Sequence, residues 1–475
     1  MKKILFIVSA VVFTILISCG TPIGESATGG EVTGIGAVAW DEPAPYGMVL
    51  IKRGSLKLGP SETDSLWGKS VPSKEVSVDA FWMDETEVTN SKYKQFVYWV
   101  RDSIIRERLA DPAYGGNEVY KITEDRNGDP VKPHLNWAKP IPWKRATEEE
   151  TAAIKSVYIV HPVDKTTMLD AKQMNYYYDY FDYTQAALRK NRLNPADRNR
   201  NTDIPVNNDE VVMISKDTAY INDEGKIVNQ TITRRLSSLF DFQNSYIVNV
   251  YPDTTCWVND FQNAYNEPYM KLYFSHPSYN EYPVVGVSWE QANAFCAWRT
   301  NYLLAGLKGA ARQMQRYRLP TEAEWEFAAR GKEDNPYPWK AGNTKSDKGC
   351  YYANFKPGRG NYTKDGNLIA TKVGSYPPNS NGLYDMAGNV AEWTSSVYTE
   401  AGVLSMSDMN PELKYNAAKE DPYVMKKKTV RGGSWKDVAA YVRADARTYE
   451  YQNESRSYIG FRCVRTQVGY NRKGR

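Results

Sequence analysis

The chain has 475 residues, with 60 Lys and Arg against 56 Asp and Glu and a formal net charge of +4. So even a balance argues against nucleic acid as a partner, and 41% hydrophobic with 13% aromatic residues is more apolar content than a disordered chain carries. His134, His161 and His276 are far apart and the cysteines form no CxxC pair, which argues against a zinc or iron centre built on these side chains.

Residues 1–18 read as a lipoprotein signal peptide. Lys2 and Lys3 precede an apolar run from Ile4 to Ile17 that is too short for a comfortable membrane span. The run ends in Leu16-Ile17-Ser18-Cys19, which resembles a lipobox, with Cys19 as the acylated first residue of the mature chain. Multiple acyl chains on Cys19 would anchor the protein stably; an ordinary cleaved signal with an incidental cysteine is the alternative. Residues 19–39 are rich in Gly, Thr, Ser and Ala and read as a flexible tether. Residues 40–466 read as one elaborated domain with an insertion at about 101–270, followed by a basic tail at 467–475.

Within the domain, Met48–Ile51 reads as a strand, and Val76–Met83 as a second apolar run that alternates at its start. Thr89 can cap a helix on which Tyr93, Phe96, Val97 and Val100 share one face. The insertion is polar, yet its tyrosine run 176–183 implies that part of it orders. Those tyrosines suit either local packing or a contact surface. The basic residues Arg189, Lys190, Arg192, Arg198 and Arg200 read as a solvated face rather than a nucleic-acid site. Ser288-Trp289-Glu290-Gln291 and Thr321-Glu322-Ala323-Glu324 are capping-box patterns, and Gly331 can close the second helix. Beyond it, Gly, Pro, Asn and Asp predict turns and short strands.

Several segments together resemble the formylglycine-generating-enzyme, or sulfatase-modifying-factor, family. They are Gly47–Ile51, Asp84–Asn90, Tyr282–Trp289, Arg318–Gly331, Gly382–Trp393, Arg431–Trp435 and Ile459–Cys463. The resemblance implies a turn-rich α+β fold related to C-type lectins. It implies a disulfide between Cys296 and Cys463, leaving Cys256 and Cys350 without counterparts. It implies two structural calcium sites: Asp385 and Glu392 with the carbonyls of Gly388 and Val390, and Asn354 and Asp365 with the carbonyls of Phe355 and Asn367. Hard calcium requires such oxygen sets, although ordinary turn and capping chemistry uses the same residues.

One departure is decisive for function. The family's enzymes bind copper through two cysteines shortly after the Gly-Gly-Ser motif, where thiolates serve as ligands and redox groups. Here Gly433 leads into Ser434-Trp435-Lys436-Asp437, and no cysteine lies between Gly433 and Arg462. The expectation is a pseudo-enzyme with no catalytic residues and no catalytic cofactor.

The lipobox, the cysteine-free domain and the tyrosine-rich insertion together resemble the gliding-motility and type IX secretion lipoproteins of the GldK/PorK type. That resemblance implies a structural role on the periplasmic face of the outer membrane, in a ring assembled with a GldN/PorN-type periplasmic partner. A GldJ-type paralogue shares the domain. Two other classes stand beside this reading: a lectin-like or peptide-binding lipoprotein using the old substrate cleft, and a formylglycine-generating oxidase.

Overall fold

The strand expected at Met48–Ile51 forms, and it pairs antiparallel with Phe81–Asp84, Ile51 lying opposite Phe81. The computed structural model describes residues 42–59, 73–125, 127–162, 165–198, 211–307, 314–332 and 336–468. The expected signal peptide, Cys19, the tether and tail residues 469–475 lie outside them. Ala44–Val468 is one compact unit.

Phe81–Asp84 pairs in turn with Val464–Thr466, Met83 opposite Val464, and that strand pairs with Tyr317–Arg318. This frame sheet therefore joins the start of the domain to its end. The apolar run at 76–83 is divided between two sheets. Lys74–Val78 forms a hairpin with Gly54–Leu58, and only Phe81–Asp84 enters the frame. The break falls at Asp79, whose carboxylate accepts the Ala80 N–H at 2.8 Å and so turns the chain. A second sheet orders Thr448–Tyr451, Lys427–Arg431, Ala391–Val397 and Ile459–Gly460, the last pairing parallel.

Three helices pack against these sheets. Thr89 caps Asn90–Leu109 by accepting the Lys92 N–H. Tyr93, Phe96, Val97 and Val100 are all buried, as their spacing demands. Tyr93 stacks on Phe295 of the helix Trp289–Leu307 at 5.5 Å, and Phe295 meets Phe461 edge-on at 5.4 Å. Both expected capping boxes form. The Ser288 hydroxyl accepts the Gln291 N–H and the Gln291 amide oxygen accepts the Ser288 N–H. Thr321 and Glu324 do the same for Glu322–Arg330, which ends at Gly331. Asp84 ties frame to helix, accepting two bonds from Arg299 at 2.9 and 2.7 Å and the Cys463 N–H at 3.0 Å.

The first long helix runs past residue 101, the expected start of the insertion, to Leu109. The rest of the insertion is built largely from two-stranded ribbons, among them Asn175–Phe181 with Gln243–Asn249, and Met213–Ile221 with Ile227–Arg235. Strand alternation sorts the tyrosine run. Tyr176 is buried edge-on against Phe96 at 5.1 Å, and Tyr178 stacks on it at 5.8 Å. Tyr177, between them, faces solvent. Local packing thus accounts for the inward tyrosines. Val157, Met174, Tyr176 and Val250 belong to the same core as Phe96 and Phe295, so the insertion shares the domain's interior. Among the described residues, no helix is long and apolar enough to cross a membrane.

Candidate functional site

The turn 382–392 has a tightly constrained backbone. Gly382, Asp385, Gly388 and Asn389 all have positive φ, two of them non-glycine residues held against the usual steric preference. At Gly388 a Cβ would lie 2.2 Å from the Asn354 carbonyl oxygen, so only glycine fits. Asn389 locks the turn from within. Its N–H donates to Asn354 O at 2.8 Å, its amide donates to Glu87 at 3.0 Å, and its amide oxygen accepts the Thr371 N–H at 2.9 Å.

Three carboxylates converge behind this turn. Glu87, Asp385 and Glu392 are buried, and the cation set among them is Arg462, fully buried as well. Arg462 donates to both Glu392 oxygens, at 2.6 to 3.0 Å, and Trp325 Nε1 donates to Glu392 at 2.7 Å. Asp385 accepts the Gly374 N–H at 2.6 Å. The raised Glu87 carboxyl donates a hydrogen bond to Asp385. Burial pushes the Glu87 carboxyl well above the usual carboxylate range, and the Asp385 and Glu392 charges push it further. Burial also raises Asp385, against the lowering effect of the Gly374 N–H and Arg462. Three acids around one guanidinium leave a surplus of negative charge, which protonation or a cation can neutralise.

The two expected calcium sets lie at and beside this turn. At the first set, Asp385, Gly388, Val390 and Glu392 are brought onto one turn. Glu392, however, is already engaged on both oxygens by Arg462, so it enters that set as the partner of a guanidinium. At the second set, Asp365 accepts the N–H groups of Phe355 at 2.8 Å and Asn367 at 3.2 Å, while the Asn354 amide donates to Ile369 O. Those residues are satisfied as a hydrogen-bonded turn. Among the described residues, no three His, Cys, Asp or Glu side chains are gathered as a metal centre.

The segment after the Gly-Gly-Ser motif lies in a separate apolar cluster. A Cβ on Gly433 would meet the Tyr441 carbonyl at 2.7 Å, which fixes the sharp turn into Ser434. Ser434 Oγ donates to Asp437 at 2.6 Å. Trp435 stacks on Phe261 at 5.4 Å and on Trp257 at 6.2 Å, and its ring centroid lies 6.0 Å from that of Tyr362. It is buried and its Nε1 finds no partner. Lys436 sits 3.5 Å from the Tyr458 ring centroid. Residues from the far end of the insertion thus pack directly onto Trp435, just after the motif. Cys256 shares this cluster. Burial raises its thiol well above the ordinary value, and Asp253 and Asp260 raise it further, so it is a poor source of thiolate.

Cys296 and Cys463 are brought together in the main core with their sulfurs 3.5 Å apart, as two thiols. That is longer than a disulfide bond, and Cys463 is held there by Asp84 through its N–H. Sequence reasoning quoted Glu87, Trp325 and Arg462 within motifs without assigning them a part in the site. Of the three, only Arg462 carries a local signal: it stands in the apolar segment Ile459–Cys463, where a charge is buried only when paired.

Comparison with known proteins agrees with this architecture. The family described as "Sulfatase-modifying factor enzyme 1-like domain" matches residues 38–179 and 218–467. Formylglycine-generating enzyme of Mus musculus is 35% identical over 192 residues, covering 39% of this chain and 44% of that protein. Inactive C-alpha-formylglycine-generating enzyme 2 of Mus musculus is 35% identical over 191 residues, covering 39% and 49%. Formylglycine-generating enzyme of Mycobacterium tuberculosis is 36% identical over 196 residues, covering 39% and 58%. The chain therefore spans about half the length of these relatives. Among solved structures, PvdO from Pseudomonas aeruginosa aligns with a TM-score of 0.39 at 16% identity, over 88% of this chain and 94% of that one.

Proposed function

This chain belongs to the sulfatase-modifying factor enzyme 1-like family, and from that premise we propose that it is a non-catalytic, structural lipoprotein. The observation that carries the reading is the segment after Gly433: it holds no cysteine, and Trp435 fills its interior against Trp257 and Phe261. Copper-thiolate chemistry needs a pair of ionisable, reachable thiols. Cys256 is buried with a raised thiol, and Cys296 and Cys463 lie in the main core. The family contains both catalytic and inactive relatives, so loss of the reaction is compatible with keeping the fold.

The finer reading places the protein in a gliding or type IX secretion machine, of the GldK/PorK type. Cys19 would carry the acyl anchor, the domain would hang on the periplasmic face of the outer membrane, and the insertion would offer surface for a GldN/PorN-type partner. Confinement to a membrane raises the effective concentration for lateral contacts, and a head-to-tail contact whose rotation closes gives a ring. In an oxidising compartment the opposed Cys296 and Cys463 thiols would close a bridge. Calcium at the 385–392 turn would neutralise the surplus charge beside Glu87.

Gentle extraction from the native membrane, with electron microscopy of what co-purifies, tests this reading. Large rings containing a second periplasmic protein are the expected result. A well-folded monomer under several detergents overturns the ring. Metal loading with copper and turnover of a thiol peptide would overturn the non-catalytic assignment.

A further inference from the structure

One end of the insertion carries an apolar tip that the packing of the domain leaves outside. The short turn Leu239–Phe242 is divided in two. Asp241 and Phe242 face inward and are each 2% exposed, whereas Leu239 and Phe240 are 59% and 75% exposed. The inner half is fixed. Phe242 meets the Phe181 ring at 6.2 Å, its carbonyl accepts the Asp182 N–H, and Asp241 accepts the N–H groups of Ser237 and Ser238. A rigid base therefore presents the two apolar side chains. Tyr183, which stacks edge-on against Phe181 at 4.7 Å, is 64% exposed beside them.

Basic groups surround this tip. Lys216 Nζ donates to the Phe240 carbonyl at 3.3 Å, and Arg234 pairs with Asp241 at 3.0 Å while its side chain stays half exposed. Arg189 and Lys190 lie just past the short helix that begins at Tyr183, and both are exposed. Arg234 and Asp241 cancel as a pair, and Lys216, Arg189 and Lys190 outnumber the remaining acids, Asp182 at the Gln185 cap and Asp217 bonded to Thr231 and Tyr246. Among the described residues, the face is net basic with a protruding apolar centre.

We propose that the Leu239–Phe240 tip and its basic surround form a docking site for an anionic lipid surface. The chemistry fits that occupant better than a protein. A stable protein interface buries roughly 800 Å² per side and disfavours lysine at its centre. A small apolar tip flanked by lysine and arginine instead matches the headgroup layer, with apolar side chains entering the acyl boundary and cations meeting lipid phosphates. This contact is separate from any acyl anchor, and it would fix which side of the domain faces the membrane.

The test uses the unacylated unit of residues 44–468, which contains every described core cluster. Sedimentation is measured with vesicles of phosphatidylethanolamine and phosphatidylglycerol, and with phosphatidylcholine alone. Binding to the anionic vesicles that weakens with added salt is expected, with little binding to phosphatidylcholine. A Leu239→Asp, Phe240→Asp double variant is expected to lose about tenfold or more in affinity at unchanged melting temperature. Arg189→Gln with Lys190→Gln is expected to weaken only the anionic binding. Tyr302→Asp, at another exposed aromatic, is expected to change nothing. Equal binding by wild type and double variant, or no binding to either vesicle, overturns the proposal. So does a double variant that loses self-association in analytical ultracentrifugation while keeping its lipid binding, which would make the tip an interface between copies.

Discussion

The turn at 382–392 and the ribbon Met213–Arg235 lie in one compact unit but are stabilised in opposite ways. The turn is short, strained at Asp385 and Asn389, and sealed by buried carboxylates, a guanidinium and an indole. The ribbon is long and regular, but most of its side chains are polar and partly or fully exposed, and its register rests on backbone pairing. The first kind of structure cannot lose a member without stranding a charge. The second can lose most of its side chains singly.

That contrast can be broken most sharply at Arg462. Arg462→Ala leaves Glu392 buried without its cation, and chemical denaturation is expected to show a loss of about 3–5 kcal/mol; a loss under about 1 kcal/mol would mean that water or another group reaches the carboxylate. Gly388→Ala comes next. The added methyl meets the Asn354 carbonyl at a position of positive φ, and the expected cost by the same measurement is about 1–3 kcal/mol. A neutral result would mean that the turn relaxes freely.

Glu87 sharpens the comparison through pH. Its folded carboxyl is raised above the unfolded value, so its stabilising contribution is complete below the unfolded pKa and is lost as pH rises through the folded one. Without added calcium, the melting temperature is expected to fall as pH climbs above the ordinary carboxylate range. Glu87→Gln should flatten that fall and raise the neutral-pH melting temperature by about 2 °C. An unchanged pH profile in the variant would remove Glu87 from the account. The smallest effect belongs to the ribbon: Asn229→Ala, at an exposed strand position, is expected to shift stability by no more than about 0.5 kcal/mol. A loss comparable to that at Gly388 would erase the distinction.

The difference also explains what was legible in the sequence. The strand Met48–Ile51, the capped helices and the 385–392 turn are local: their apolar period, cap residues and glycines are written within a few positions, and the structure obeys them. The division of the 76–83 run was hidden because it depends on which sheet each half joins, a tertiary choice. The Glu87–Asp385–Glu392–Arg462 cluster joins residues some 300 positions apart, and the lone charge of Arg462 in its apolar segment shows only that it needs a partner, not which one. The aromatic cover over Trp435 was hidden for the same reason, since Trp257 and Phe261 come from the insertion. The insertion's ordering was readable from its tyrosines, whereas its sharing of the core with Phe96 and Phe295 was not.

The frame sheet sets the order of events in folding. Phe81–Asp84 has its partner on one side at once, in Met48–Ile51, but its other edge waits for Val464–Thr466. Asp84 likewise waits for the Cys463 N–H, and Glu87 and Glu392 wait for Arg462. A chain emerging amino-terminus first cannot complete its interior until its final strand arrives. Closure is a late, long-range step with a high loop-entropy cost. The domain is therefore closed by its last strand: a chain cut anywhere before Val464 leaves one edge of Phe81–Asp84 bare and Asp84 without the Cys463 N–H.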